Sequence, residues 1–150
     1  MQRSNHFVIV GDTALGANTY RELRERNEQV TFIYEQRGEP TDAELDIVVG
    51  NPNDLEVLRQ AGAAQARAIL ALSRDDNENA FVVLAMRELA PEVKTVVAVR
   101  DPRNLASIKR VHPDLIFSPQ ILGGELLAMA LSGEQISTDT LLSQLLQFHV

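Results

Sequence analysis

The residues His6-Phe-Val-Ile-Val-Gly-Asp-Thr-Ala-Leu-Gly16 decide the fold of this chain. Apolar, strand-forming residues lead directly into Gly11, and a helical pattern of apolar residues begins three or four positions later. A strand, a tight glycine turn and a helix in this order are typical of the start of a βαβ unit. Such a turn points backbone N–H groups and the positive end of a helix at one spot, where an anion can bind.

The turn carries two of the three glycines of the dinucleotide fingerprint G-x-G-x-x-G. Gly11 and Gly16 stand at the first and third positions, and Thr13 stands at the second. The second glycine allows the backbone to approach a pyrophosphate closely, so the Cβ of Thr13 opposes that approach. The motif therefore predicts a Rossmann-type first turn and argues against tight binding of a dinucleotide.

Composition limits the class of protein. The 150 residues suit one domain, and a hydrophobic fraction of 45% is enough for a core. The net charge of -7 argues against nucleic acid as a partner and against an anionic membrane surface. The chain has no cysteine, which excludes disulfides and cysteine-based zinc sites. No apolar run reaches about 18 residues, so we expect either a soluble protein or the soluble piece of a larger one.

Six apolar strands alternate with helices along the chain. We predict strands over residues 6–10, 29–34, 45–49, 68–72, 94–99 and 115–117, and helices over 14–26, 53–62, 75–90, 102–111 and 119–131. Apolar strands that alternate with helices are buried on both faces, which favours a parallel sheet. Asn53 and either Ser73 or Asp75 are predicted helix caps. The run Phe81 to Met86 predicts a helix buried on more than one side.

These elements predict a Rossmann-like α/β fold with helices on both faces of a doubly wound sheet. Right-handed crossovers and two half-units give the strand order 3-2-1-4-5-6. In this topology a crevice opens where the order reverses, after strands one and four. We therefore expect the turn at residues 11–16 to face residues 73–79.

Five short stretches carry a resemblance to a known family. Ala68-Ile-Leu-Ala-Leu-Ser-Arg-Asp-Asp-Asn-Glu-Asn-Ala80 resembles the fourth strand and helix start of the RCK family, regulator-of-potassium-conductance domains also called Trk-type nucleotide-binding domains. Gly50-Asn-Pro-Asn-Asp54, with Ala61-Gly-Ala63, is similar to a turn and helix end of that family. Val111-His-Pro-Asp114 and Phe117-Ser-Pro-Gln120 resemble most closely the cytosolic domain of Kch-type bacterial potassium channels. The resemblance covers residues 5–135.

The resemblance implies a role and a set of partners. It implies a cytosolic regulatory domain of a bacterial inner-membrane potassium channel, associated with itself as a homodimer or a larger ring. The membrane-spanning pore that it would control is absent from this chain. The cofactor implied is an adenine nucleotide, either NAD(H) or ATP, ADP or AMP, or else a divalent cation. Thr13 and Asn51 depart from the family pattern, since Asn51 replaces an acidic residue at the adenosine end of the ligand.

The residues expected to bind such a ligand lie at the crevice. Glu35 ends the second strand about 20 residues after the glycine turn, where an acid can accept hydrogen bonds from ribose hydroxyls; alternatively it is a solvated carboxylate. Asp12 would either repel an anionic ligand or join a cation site, and Asn79 either caps a helix or contacts the ligand. The full expected set is Gly11, Asp12, Thr13, Gly16, Glu35, Asn51, Ser73 and Asn79.

Other polar residues have simpler interpretations. Asp75, Asp76 and Glu78 are most simply charges favoured at a helix start. Three carboxylates at one mouth could also bind Ca²⁺ or Mg²⁺, although their spacing is not that of a calcium-binding EF-hand. Ser73 has no histidine near it in sequence, so no catalytic set is apparent. We predict no metal site, because the three histidines lie far apart in sequence: His6, His112 and His149.

The last segment has a separate predicted role. Leucines at 141, 142, 145 and 146 predict an apolar helix over residues 136–150, beginning at Ser137 or Thr138. Such a helix either packs against the rest of its own domain or pairs subunits. The leading interpretation is thus a ligand-sensing channel domain rather than an enzyme. A small NAD-dependent oxidoreductase and an assembly scaffold with a decayed nucleotide site are the alternatives.

Overall fold

The computed structural model of the protein describes residues 3–35, 46–135, 137, 139 and 146–148. Its strands are β1 (Phe7–Val10), β2 (Val30–Tyr34), β3 (Asp46–Val49), β4 (Ala68–Ala71), β5 (Lys94–Ala98), β6 (Leu115–Phe117) and β7 (Leu146–Phe148). Its helices are α1 (Ala14–Glu25), α2 (Leu55–Gln60), α3 (Asp76–Leu89), α4 (Leu105–Arg110) and α5 (Pro119–Ser132). Short 3-10 turns cover Ala63–Gln65 and Pro102–Asn104.

The strands form one sheet in the order β3-β2-β1-β4-β5-β6-β7. The first six strands are all parallel, so the predicted Rossmann-like order is confirmed. The reversal of strand order lies between β1 and β4, whose registers pair Phe7 with Ala68 and Val10 with Ala71. The carboxyl ends of these two strands therefore lie side by side, as the crevice requires.

The end of the chain agrees with the prediction in part. Asp139 has helical backbone, as expected of a helix beginning at Ser137 or Thr138, but the predicted helical leucines 141, 142 and 145 lie outside the described residues. Leu146–Phe148 is not helical and forms β7, antiparallel to β6. Without β7, β6 would be an edge strand with unpaired backbone groups, and pairing satisfies them. The apolar-polar-apolar sequence of β7 also suits a strand.

Apolar side chains pack on both faces of the sheet. On one face Val8 and Val10 of β1 join a large cluster with α2, α3 and α4. On the other face Ile9 and Phe32 pack with Leu15, Tyr20 and Leu23 of α1. Successive residues of a strand point to opposite faces, so one apolar strand supplies both layers.

Two predicted details of the helices are wrong. Asp54, not Asn53, caps α2 by accepting a hydrogen bond from the N–H of Glu56 at 2.9 Å. The run in α3 is buried on one side and not on more than one, because Val82, Val83 and Met86 are buried while Phe81 and Leu84 are exposed. None of the helices in the described part of the chain is long and apolar enough to span a bilayer.

Candidate functional site

Direct backbone contact fixes the turn after β1. Gly11 has a φ of +124°, and a Cβ there would lie 2.6 Å from the carbonyl carbon of Leu72 and from the nitrogen of Ser73. A Cβ on Gly16 would lie 2.5 Å from the carbonyl oxygen of Gly11. Only glycine fits at either position, because the obstacles are backbone atoms. The β1–α1 turn is therefore held against both the end of β4 and the first turn of α1.

Thr13 is the N-cap of α1 and links the two halves of the site. Its Oγ1 accepts a hydrogen bond from the N–H of Gly16 at 3.0 Å. The same hydroxyl donates to the carbonyl oxygen of Leu72, just beyond β4, at 2.9 Å. The residue at the second fingerprint position thus bridges the start of α1 and the end of β4.

Two clefts open on either side of this bridge. The first, cleft A, has a volume of about 360 Å³. The second, cleft B, has a volume of about 400 Å³. Three residues line both clefts: Thr13, Ser73 and Arg74. The other residues of cleft A are Val10, Gly11, Asp12, Ile33, Glu35, Pro52 and Glu78, and those of cleft B are Ala14, Leu15, Leu72, Ala98, Arg100, Pro119 and Gln120.

Cleft A brings together predicted ligand-binding residues from three strand ends. Gly11, Asp12 and Thr13 follow β1, Glu35 follows β2, and Ser73 follows β4. Such convergence at the carboxyl ends of parallel strands is the usual place for a ligand in this topology. The crevice predicted between residues 11–16 and 73–79 is therefore present.

The electrostatics of cleft A are predominantly acidic. Asp12, Glu35 and Glu78 line it together with a single cation among its lining residues, Arg74. Burial raises the pKa of the Glu78 carboxyl, and the negative charges of Glu35 and Asp75 raise it further. An anionic group on a ligand is therefore favoured near Arg74 and the N-terminus of α1 rather than beside Glu35 and Glu78.

Two of the predicted ligand-binding residues have structural partners instead. Asn79 is fully buried, and its Nδ2 donates to the carbonyl oxygens of Ser73 and Ala98, each at 3.0 Å, while its Oδ1 accepts from the N–H of Ser73 at 2.9 Å. Asn51 is exposed, and its Oδ1 accepts from the N–H of Asn53 at 2.9 Å. Asn79 thus positions the Ser73 loop, and Asn51 shapes the turn that brings Pro52 to cleft A.

The acidic residues at the start of α3 also have structural roles. Asp75 caps the helix, as predicted, by accepting from the N–H of Asn77 at 2.8 Å. The buried Asp76 carboxylate accepts from the backbone N–H groups of Arg100 at 2.8 Å and Asp101 at 3.1 Å, and from the Asn104 amide at 2.9 Å. No cluster of three or more metal-binding side chains occurs among the described residues.

Arg74 and Arg100 are lining residues that sequence reasoning missed. Arg74 directly follows Ser73 at the end of β4, and Arg100 follows β5 in the equivalent position. A rule that inspects the cations just beyond every parallel strand would have found both. The two arginines give cleft B a positive character that cleft A lacks.

Comparison with known proteins supports one family. The family model described as the TrkA-N domain matches residues 7–119. The voltage-gated potassium channel Kch of Escherichia coli (strain K12) is 44% identical over 153 residues, which covers 97% of this chain and 37% of that protein. The chain thus spans little more than a third of the length of this relative, which is a channel rather than an enzyme.

Solved structures show the same fold at low identity. The GsuK channel bound to ADP superposes with a TM-score of 0.75 at 23% identity, covering 88% of this chain and 35% of that one. The Kef C-terminal domain of Shewanella denitrificans in its AMP-bound form superposes with a TM-score of 0.73 at 17% identity, covering 87% and 83%. The resemblance noted in the sequence is confirmed, and the chain belongs to the TrkA-N domain family as an RCK domain.

Proposed function

We propose that this chain is a regulatory domain of a potassium channel, acting on the cytoplasmic side of the membrane, and that it senses an adenine nucleotide. The observation that carries the nucleotide site is cleft A, where the β1–α1 turn and Glu35 converge. A ligand that binds one assembled state of the channel more tightly than another shifts the balance between them and so biases the pore.

The ligand is oriented by the charges of cleft A. The ribose lies near Glu35, whose carboxylate accepts hydrogen bonds from its hydroxyls. The phosphate lies near Arg74 and the N-terminus of α1, away from the acidic wall. The class of ligand is supported by structural neighbours, since GsuK is bound to ADP in one structure and to NAD in another, and the Kef domain is bound to AMP.

Calorimetric titration with AMP, ADP and NAD+ tests the site. Glu35→Ala should weaken the adenine nucleotide that binds by about tenfold or more, because a charge-assisted hydrogen bond is lost. Glu88→Ala is the matched control, since Glu88 is an exposed acid of α3 that lines neither cleft. Unchanged affinity in Glu35→Ala contradicts this orientation of the ligand.

Other outcomes select the alternatives. A binding heat that is unchanged in Glu35→Ala but lost in Asp12→Ala or Asp75→Ala indicates a cation site at the mouth of the same cleft. No heat with any nucleotide or divalent cation favours the assembly scaffold with a decayed site. Turnover of NADH would favour the oxidoreductase.

We also propose that the domain associates with itself through α5. This helix is rich in leucine and alanine, yet none of its residues is buried, and Leu127 and Leu131 are 66% and 87% exposed. An apolar helix without a buried face needs a partner to remove that surface from water. A second copy of the chain is the partner proposed, in a homodimer or a larger ring.

A further inference from the structure

The side chain of Thr13 stands where the two clefts meet. Its hydroxyl makes two hydrogen bonds: it accepts one from the Gly16 N–H and donates one to the Leu72 carbonyl oxygen. Rotation of the side chain would deprive both backbone groups of this partner, so the side chain is fixed in place. Thr13 is thus an ordered part of the wall between cleft A and cleft B.

The same hydrogen bonds alter what the start of α1 can offer a ligand. The first N–H groups of a helix are free to bind an anion when no side chain caps them. In this chain Thr13 already accepts from one of them, the N–H of Gly16. Fewer backbone donors therefore remain for the pyrophosphate of a dinucleotide.

A dinucleotide would have to occupy both clefts. Its two nucleoside halves would lie in cleft A and cleft B, and its pyrophosphate would cross between them over Thr13, Ser73 and Arg74. The fingerprint glycine exists to allow that crossing, because it lets the backbone approach the two phosphates. The Thr13 side chain occupies the crossing instead.

A mononucleotide needs no crossing. Cleft A alone, at about 360 Å³, falls at the small end of the range in which pockets hold small molecules. It has Glu35 for a ribose and Arg74 at its shared wall for a terminal phosphate. We infer that Thr13 is a specificity-determining residue that divides the crevice and restricts it to adenine mononucleotides such as AMP and ADP, excluding NAD. This inference rests on the nucleotide site proposed above.

Titration of wild type and three variants at Thr13 tests the inference. The quantity compared is the Kd for NAD+ divided by the Kd for ADP, measured by calorimetry. We expect this ratio to be about 10 or more in the wild type. In Thr13→Gly it should fall about tenfold. Thr13→Ser retains the hydroxyl and should keep the ratio of wild type.

Thr13→Val separates the bulk of the side chain from its hydrogen bonds. Valine keeps the shape of threonine but cannot bond to Gly16 or Leu72. If bulk at the crossing excludes the dinucleotide, Thr13→Val keeps the high ratio; if the occupied N–H of Gly16 matters more, the ratio falls towards that of Thr13→Gly. Either result supports Thr13 as the determinant, and thermal unfolding confirms that each variant is folded.

Two failures are distinguishable. Wild-type protein that binds NAD+ as tightly as ADP, or an unchanged ratio in Thr13→Gly, overturns the inference and leaves the nucleotide site intact. Wild-type protein that binds neither AMP nor ADP overturns the proposed nucleotide site, and the inference with it.

Discussion

Two pairs of glycines in this chain meet opposite surroundings. A Cβ on Gly11 or Gly16 would lie within 2.6 Å of backbone atoms, whereas a Cβ on Gly123 or Gly124 of α5 would meet nothing within 4 Å. The first pair lies at the reversal of strand order, where two strand ends and a helix touch. The second pair lies on a helix with no buried residue.

The difference separates a rigid region, fixed by close backbone contacts, from a helix on which a Cβ at either glycine would meet nothing else in the described part of the chain. Around the turn at residues 11–16, glycine is required because neighbouring backbone occupies the space of a side chain. On α5 the glycines only weaken the helix, since glycine costs more backbone entropy than alanine. The same residue type thus lies at the proposed ligand site in one region and, in the other, on the surface proposed to pair with a second copy of the chain.

The largest expected effect comes from one substitution made in both regions. Gly16 and Gly124 both lie inside helices, so alanine should gain similar helix propensity at each. Gly124→Ala should raise the free energy of unfolding by about 0.5–1 kcal/mol. Gly16→Ala should lower it by about 3 kcal/mol, and Gly16→Val by more, because the new Cβ overlaps the Gly11 carbonyl oxygen. Urea denaturation midpoints measure both.

The outcome that contradicts this comparison is specific. If Gly16→Ala matches Gly124→Ala in stability, the contact between Gly16 and the Gly11 carbonyl is not close in solution. If Gly124→Ala is strongly destabilising, Gly124 is not in open space but makes a close contact, as it would if it lay inside the proposed interface between copies. Repeating the measurement at several protein concentrations shows whether the contact is with a second copy, because stability that depends on association changes with concentration.

The parts of this fold that sequence could predict follow local or topological rules. The β1–α1 turn was predictable because two glycines at fixed spacing follow an apolar strand. The strand order follows from alternating elements and right-handed crossovers. The cap of α2 was missed by one residue, because Asn53 and Asp54 are both good capping residues and sequence does not show which has the right backbone geometry.

Contacts between residues far apart in sequence could not be predicted. Asn79 was expected either to cap a helix or to contact the ligand, and the sequence does not show that one of its partners is the carbonyl of Ala98, which only the folded sheet places beside it. Residues 146–148, predicted to be helical, form the strand β7 because β6 offers an open edge, and only the folded sheet shows that edge. Phe81 and Leu84 show that an apolar run does not tell which of its faces is covered.

The next effect tests what holds the rigid region together. Asp76→Ala should lower the free energy of unfolding by about 2 kcal/mol, since it leaves the N–H groups of Arg100 and Asp101 without their acceptor. Asp75→Ala, on the adjacent residue, should cost about 1 kcal/mol because only a helix cap is lost. Equal losses in the two variants would contradict a special role for the buried carboxylate.

A smaller effect on stability, with a large effect on association, is expected on α5. Leu131→Ser should change the free energy of unfolding of the monomer by less than about 0.5 kcal/mol, because the side chain is exposed. Combined with Leu127→Ser, it should shift the mass from light scattering towards the monomer value of 16.6 kDa. Phe81→Ser on α3 is the control for an exposed apolar residue elsewhere. A monomeric wild type at tens of micromolar, or association unaffected by the leucines, counts against α5 as the interface.

The smallest expected effect concerns charge in cleft A. The pKa of Glu78 is raised above its ordinary value of 4.5, by burial first and then by the charges of Glu35 and Asp75. A carboxyl whose pKa is higher in the folded state reduces stability as the pH rises through its unfolded value, because ionisation costs more in the folded protein. Glu35→Gln removes one of the charges, so the pKa of Glu78 should fall, and the variant should be more stable than wild type at pH 7 by no more than about 0.5 kcal/mol.

This gain should vanish as the pH falls below about 4, where carboxyl groups bind protons in both proteins. Carboxyl NMR titration of Glu78, together with urea midpoints at pH 7 and at low pH, measures both quantities. Glu88→Gln is the matched control and should leave the pKa of Glu78 unchanged, since Glu88 is not among the charges that raise it. A Glu78 pKa unmoved by Glu35→Gln would show that the two carboxylates do not share one cleft. That result would contradict the acidic surface proposed around the ribose at Glu35. It would leave the glycine contacts at the turn unaffected.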